Sequence, residues 1–404
     1  MGRLIFNPLL VLFFLLRVVA LGQNVSDRLA TPIAVVPFEL GGNHIYLQAR
    51  VNNSSSLSVA VDSGSPDVIF DSSRSTQLGL PSSGDVLVPS IGDKEPTPGR
   101  RLAIRSISLG GATLDNVAAD SVPSLGSVSQ VTGHATDAII GSDLFNRYVV
   151  EVDYPERVLR LYDPDNYVAP KEGCQVPLLL DPYPKIHARL IESNERSIEA
   201  VLVLDTGSNY LFVTRVFGDA HPDLPVDEKT IEAASARLVS GVTPIRAGRV
   251  RAINLGGCVV EKPIALFLQD VGGSGLGSQE FSGSIGMNIL QHFTTVFDYR
   301  HHLVTFKRNP GSDGVPQYNM TGIHVLAAGP SFHDFTIDYV LKNSPGAREG
   351  IQVGDKIEAV NYALSTQLTL DDLDKMFKRP GLLRLRISRN GKQLNRKLKL
   401  KPLI

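Results

Sequence analysis

Two short stretches of this sequence carry groups able to do chemistry. Asp62 opens Asp62-Ser63-Gly64-Ser65 and Asp205 opens Asp205-Thr206-Gly207-Ser208, each at the end of a largely apolar run. Such a run excludes an ionisable side chain unless that group finds a partner. The two aspartates can partner each other. Two carboxylates about 4 Å apart repel by about 4 kcal/mol at an effective dielectric near 20, roughly three pKa units. The pair then keeps one proton over a wide pH range, leaving one carboxylate as general base and one carboxylic acid as general acid. That is the equipment for adding water directly to a carbonyl, with no metal, cofactor or covalent nucleophile. Gly64 and Gly207 let the backbone approach the carboxylates and donate their amides, and the Ser65 and Ser208 hydroxyls are expected to donate from the outer side. Taken singly, each motif would serve equally well as an Asx-turn cap; two copies weigh against that reading.

The elements that position these groups are themselves repeated. Leu57 to Phe70 matches Ile198 to Val213, a strand running into the motif and another leaving it. Ile107-Ser108-Leu109-Gly110-Gly111 then matches Ile253-Asn254-Leu255-Gly256-Gly257, Ile139-Ile140-Gly141 matches Ser284-Ile285-Gly286, and Val152-Asp153-Tyr154 matches Phe297-Asp298-Tyr299. Counted from Asp62 and from Asp205, these offsets agree to within three residues. Ordered matches of this kind predict two lobes of the same fold, 31–165 and 174–308, joined through Asp163 to Gly173. Each lobe reads as mostly strand with one short helix, at Asp143 to Tyr148 and at Asn288 to Phe293.

Two copies of Asp-(Ser/Thr)-Gly-Ser with a matched hydrophobic-hydrophobic-glycine motif downstream resemble the retropepsin-like aspartic proteases over residues 31 to 308. The resemblance implies a mainly β protein whose two tandem acid-protease lobes form a pseudo-dimer, and a peptide or unfolded protein as substrate. It also implies that Ser63 and Thr206 tie the two catalytic loops together through backbone of the opposite lobe. Flap hairpins are expected at Pro89 to Pro96 and Ser240 to Pro244. The sequence departs from the family at Ser284, where a hydrophobic residue is expected, and neither flap segment holds a tyrosine. Substrate preference stays open.

A different composition begins after Asn309-Pro310-Gly311. Ser344-Pro345-Gly346-Ala347, Gly350-Ile351, Val353-Gly354-Asp355 and Val360-Asn361 resemble a PDZ domain over 322–404, an α+β module. That resemblance implies a peptide groove between a strand near Phe335 to Leu341 and a helix near Leu370 to Lys378. A preceding turn, Gly329 to His333, would offer amides to the carboxylate of a C-terminal peptide ligand. Gly329, Phe332, Phe335 and Ile337 are the expected contacts; the competing reading of the helix positions Leu373 and Phe377 is core packing.

The 404 residues are 43% hydrophobic and balance 40 Lys+Arg against 41 Asp+Glu, which predicts globular domains and no nucleic-acid partner. Arg3, the apolar run Leu9 to Leu16 and Ala20-Leu21-Gly22 form an export signal over 1–22. The expected location is therefore periplasmic or extracellular, with an uncleaved anchoring segment as the alternative. With only Cys174 and Cys258 present, one disulfide is allowed and pairing is left open. The function expected is an aspartic endopeptidase with an intramolecular active site. Its rivals are a peptide-binding scaffold without turnover and a site formed between two chains.

Overall fold

The computed structural model describes residues 31–88, 96–123, 125–226, 230–238, 241–269 and 281–404. The export segment, most of the lobe-one flap segment and the glycine run 272–277 lie outside the described residues.

A six-stranded antiparallel sheet joins the lobes. Its order is Ala34–Pro37, Val158–Tyr162, Val149–Asp153, Phe293–Asp298, Leu303–Arg308, Cys174–Pro177, so lobe one supplies the first three strands and lobe two the last three. At the centre Val150 pairs with Phe297 and Val152 with Thr295. These are strands of the repeated Val-Asp-Tyr and Phe-Asp-Tyr motifs, placed about a pseudo-twofold axis. Phe145 packs edge-on to Phe297 at 5.1 Å and stacks on Tyr299 at 5.5 Å, so the aromatic core crosses the lobe boundary. One apolar cluster accordingly runs through both lobes, from Val59 and Phe70 to Leu202 and Phe306.

Each lobe adds its own sheet, and in each the strand entering the aspartate loop lies parallel to the strand of the hydrophobic-hydrophobic-glycine motif. In lobe one Leu57–Val61 pairs with Ala138–Ile140, through Val59 with Ala138 and Val61 with Ile140. In lobe two Ser197–Leu204 pairs with Gly283–Ile285, through Leu202 with Gly283 and Leu204 with Ile285. The strand leaving each loop pairs antiparallel on the other side of the same segment, Ile69 with Ile139 and Phe212 with Ser284. Ser284, the departure from the family pattern, is 1% exposed, and its hydroxyl has no partner.

The predicted helices appear as Ser142–Arg147 and as the single turn Met287–Leu290. The second is shorter than expected because Phe293 already pairs with Arg308 in the central sheet. The expectation of one helix per lobe fails: Ser72–Gln77 and Leu125–Thr132 are further helices of lobe one, and Arg215–Ala220 of lobe two. Asp71 and Thr214 cap two of these with side-chain oxygens. Cys174 and Cys258 form a disulfide with Cα atoms 5.8 Å apart, fastening the first strand of lobe two to its hairpin.

The C-terminal unit has its own sheet, ordered Ile323–Ala328, Asp334–Val340, Lys356–Val360, Gly381–Arg389, Lys392–Leu400, with Ala363–Leu364 beside the third strand. The helix Leu370–Phe377 closes a separate core that includes Phe335, Ile337, Leu373, Phe377 and Leu385. Thr369 and Asp372 form its capping box. Asp355, 1% exposed, receives Arg389 Nε at 2.6 Å and Nη2 at 2.8 Å. Burial pushes the Asp355 carboxyl up, but Arg389 and the Gln352 amide more than offset this and hold it below its ordinary value. Arg389 is thus a structural cation.

Candidate active site

Strand pairing carries the two aspartates to one place. The Asp62 amide donates to Ile140 O and the Asp205 amide to Ile285 O, both at 3.0 Å, so each loop begins where its parallel partner ends. The Ser142 amide then bonds Ser65 O at 2.9 Å and the Met287 amide bonds Ser208 O at 2.8 Å, closing each loop on the helix behind it. The carboxyls of Asp62 and Asp205 face each other across the axis: a Cβ on Gly64 would lie 2.9 Å from Oδ1 of Asp205 and 3.2 Å from Oδ1 of Asp62. Gly64 N donates to Asp62 Oδ1 at 2.8 Å and Gly207 N to Asp205 Oδ1 at 3.0 Å.

Glycine is obligatory here for a reason specific to the pair. A Cβ on Gly207 would lie 2.4 Å from Cγ and Oδ2 of Asp62, and one on Gly64 would lie 2.9 Å from Oδ1 of Asp205. Each glycine therefore makes room for the carboxylate of the opposite lobe.

Four reciprocal hydrogen bonds lock the loops together. Ser63 N donates to Thr206 Oγ1 at 2.9 Å and Thr206 N to Ser63 Oγ at 3.1 Å. The Ser63 hydroxyl donates to Leu204 O at 2.8 Å and the Thr206 hydroxyl to Val61 O at 2.9 Å. Both side chains are buried. Ser65 and Ser208 do something else than expected: their hydroxyls donate to Asp67 O at 2.9 Å and Tyr210 O at 3.4 Å. Their reach is spent within their own turns, which leaves the carboxylates to the amides.

Electrostatics separate the two acids. Burial pushes Asp205 well above the ordinary carboxylate range, and the charge of Asp62 and its hydrogen bond add to the rise. Burial raises Asp62 as well, but the Gly64 amide, the Asp205 side chain, His44 and the Gly207 amide pull it back. Burial thus raises both acids, and the pair holds a proton to higher pH than an ordinary carboxylate does.

His44 is the group that motif reasoning missed. Its Nε2 lies 2.9 Å from Gly207 O and its Nδ1 lies 2.9 Å from Gly42 O. Both neighbours are acceptors, so an imidazolium satisfies the two contacts together and a neutral ring only one. His44 thus bridges lobe one to the Asp205 loop of lobe two.

A cavity of about 430 Å³ opens above the dyad. Hairpins from both lobes flank it. Ser82–Val88 pairs with Thr97–Leu109, and Ile231–Leu238 with Gly241–Arg249; Val88, Thr97, Ala233 and Ile245 line the cavity. The lobe-two flap expectation needs correcting, since Gly241 to Pro244 belong to the returning strand and not to the tip.

The C-terminal contacts also shift. Asp334–Val340 lies inside the sheet, paired along its length with Ile323–Ala328 and through Phe335 and Thr336 with Lys356–Val360, so a peptide cannot add alongside its first half. Phe335 and Ile337 are core residues at 1% and 0% exposure. Gly329 and Phe332 lie in the turn between the first two strands. The edge strand is Ile323–Ala328, and alternation alone does not tell an edge from an interior strand.

A family model described as aspartyl protease matches residues 47–144 and 191–289, each span enclosing one of the two Asp-(Ser/Thr)-Gly-Ser motifs. No curated protein matches the chain. The chain is thus a mainly β protein with two tandem aspartyl-protease-like repeats.

Proposed function

We propose that the protein is an aspartic endopeptidase whose dyad, Asp62 and Asp205, activates water against a peptide bond. The observation that carries this reading is the close approach of two half-buried carboxyls across the axis, each crowded by the glycine of the opposite loop. Water held between the acids loses a proton to the Asp62 carboxylate as its oxygen bonds to the scissile carbon. The Asp205 proton passes to the carbonyl oxygen, giving a neutral tetrahedral diol. Asp62 then returns its proton to the amide nitrogen while Asp205 recovers one from a hydroxyl; the C–N bond breaks, releasing a carboxyl and an amine. Asp205 ends protonated and Asp62 ionised, as at the start.

The supporting cast follows from the geometry. Gly64 and Gly207 amides each hold the carboxylate of their own loop, and Ser63 and Thr206 tie the two loops together. The C-terminal unit is read as a PDZ-type module that recruits or regulates peptide substrate, and the N-terminal segment as an export signal for a periplasmic or extracellular enzyme.

The test is cleavage of a diverse peptide mixture by the full chain from acidic to neutral pH, beside Asp62→Asn and Asp205→Asn. Loss in both variants supports the shared dyad. Survival of cleavage in either overturns the mechanism, and a folded, inactive wild type favours a peptide-binding scaffold.

A further inference from the structure

The sheet of the C-terminal unit has an outer face that the proposed reaction does not use. The helix Leu370–Phe377 lies on the lobe side of that sheet: Gly42 N of lobe one donates to Asp371 Oδ1 at 2.9 Å, and a Cβ on Gly133 would lie 2.7 Å from Leu370 Cβ. Leu373 and Phe377 of the helix share one core with Leu383, Leu385 and Ile387 of the strand Gly381–Arg389. Successive strand residues point to opposite faces, so Leu382, Arg384 and Arg386 lie on the face turned away from the helix.

Register brings neighbours onto this face. Lys399 pairs with Leu382 and Lys397 with Arg384, and directly opposed residues share a face. Leu364 joins them through Ala359, which pairs with both Leu364 and Arg386. The Arg384 guanidinium lies 5.6 Å above the Tyr362 ring. Glu358 is the only acidic residue in Lys356–Val360, Ala363–Leu364, Gly381–Arg389 and Lys392–Leu400, and it faces Arg386 at 3.4 Å. Among the described residues no carboxylate pairs with Lys397 or Lys399, and both lysines are exposed. The face therefore carries excess positive charge. It is also unusually apolar for a solvated surface: Tyr362 is 80% exposed, Leu382 49% and Leu364 44%. Large apolar groups gathered in water mark a surface that a partner covers.

The mixture selects the partner. Excess cation attracts an anionic surface. A nucleic acid would stack bases on a free aromatic face, whereas the Tyr362 face is taken by Arg384. A bilayer suits every group present: leucines enter the acyl boundary, lysine ammonium groups stay among the headgroups, and a tyrosine ring sits between the two.

We propose that the outer face of the hairpin Gly381–Arg389 and Lys392–Leu400, with Tyr362 and Leu364 beside it, docks the protein on a membrane surface of anionic phospholipid. The contact with lobe one is on the opposite side of the unit, so docking leaves it undisturbed. The inference is independent of the peptidase reading.

The chain has no tryptophan, so Tyr362→Trp gives the full chain a single reporter on the face itself. It is titrated with vesicles of phosphatidylcholine alone and of phosphatidylcholine with phosphatidylglycerol, carrying brominated acyl chains as quencher. Blue-shifted, quenched emission is expected with the anionic vesicles only. It should reverse between about 0.1 M and about 1 M salt, where the screening length falls from about 10 Å to about 3 Å. Each lysine near an anionic surface contributes about fivefold to partitioning, so adding Lys397→Gln and Lys399→Gln should lower the partition coefficient about thirtyfold. Circular dichroism checks that this variant folds, and the reporter chain alone decides the matter if it does not. Binding through the apolar run Leu9 to Leu16 would leave the reporter in water. A reporter that stays in water with anionic vesicles, an equal response to neutral vesicles, or partitioning untouched by the lysine substitutions overturns the proposal. So does a response to duplex DNA or an acidic polypeptide in place of the anionic vesicles.

Discussion

Thr206→Val is the most informative substitution, because its cost can be worked out bond by bond. Valine keeps the branched shape and removes the hydroxyl, which accepts from Ser63 N and donates to Val61 O. Thr206 is 0% exposed, so water cannot replace either contact. Each orphaned buried backbone group costs about 1–3 kcal/mol, for a total of about 2–6 kcal/mol. Against a net stability of about 5–15 kcal/mol that is a large fraction. The chain has no tryptophan, so unfolding is followed by circular dichroism in urea, with cleavage measured in parallel. Thr206→Ser, which keeps the hydroxyl and loses only a methyl, should retain most of the stability. A Thr206→Val midpoint within error of wild type at equal slope, with full activity, would refute the claim that the cross-lobe bonds hold the loops together.

Asp205→Asn should abolish cleavage and yet stabilise the fold at neutral pH. The folded-state pKa of Asp205 is raised, so its stabilising proton is fully held below the ordinary carboxylate range and lost as pH rises through the folded value. Removing the titration should therefore raise the melting temperature at neutral and higher pH, by an amount that shrinks towards acid; a gain only in acid would contradict this. His44→Phe should cost about tenfold in kcat and move the acid limb of the pH profile upward, because the ring that pulls Asp62 down is gone; an unmoved limb would make His44 purely structural.

The dyad was legible because its motif occurs twice. Each copy sits at the end of an apolar strand, and the matched spacing of three further motifs identifies the units that must carry them. The cross-lobe contacts of Ser63 and Thr206 followed from the resemblance alone, since nothing in local chemistry says which side of the axis a hydroxyl will face. His44 escaped for a definite reason. The registers Ile45 with Val61 and Lys185 with Val203 belong to hairpins of different reach, so the residue nearest each aspartate's position is His44 in one lobe and Tyr183 in the other. Self-similarity cannot reveal a site where the two copies differ. Sheet order in the C-terminal unit escaped for another reason: Phe335 and Ile337 alternate with polar residues just as Ile323 and Val325 do, and only pairing shows which strand is the edge.

The shared central sheet also sets an order of events during synthesis. Lobe one is complete in sequence well before Phe293–Asp298 emerges, and until then the strand Val149–Asp153 lacks the neighbour that covers its edge. A nascent lobe one carries an open strand edge and half an active site, and an open edge pairs readily with other chains. On the proposed reading no nascent chain can cut its neighbours, because Asp62 meets its partner only after lobe two has folded against it. The same strand that makes the half-finished chain prone to association is the one that delays its reactivity.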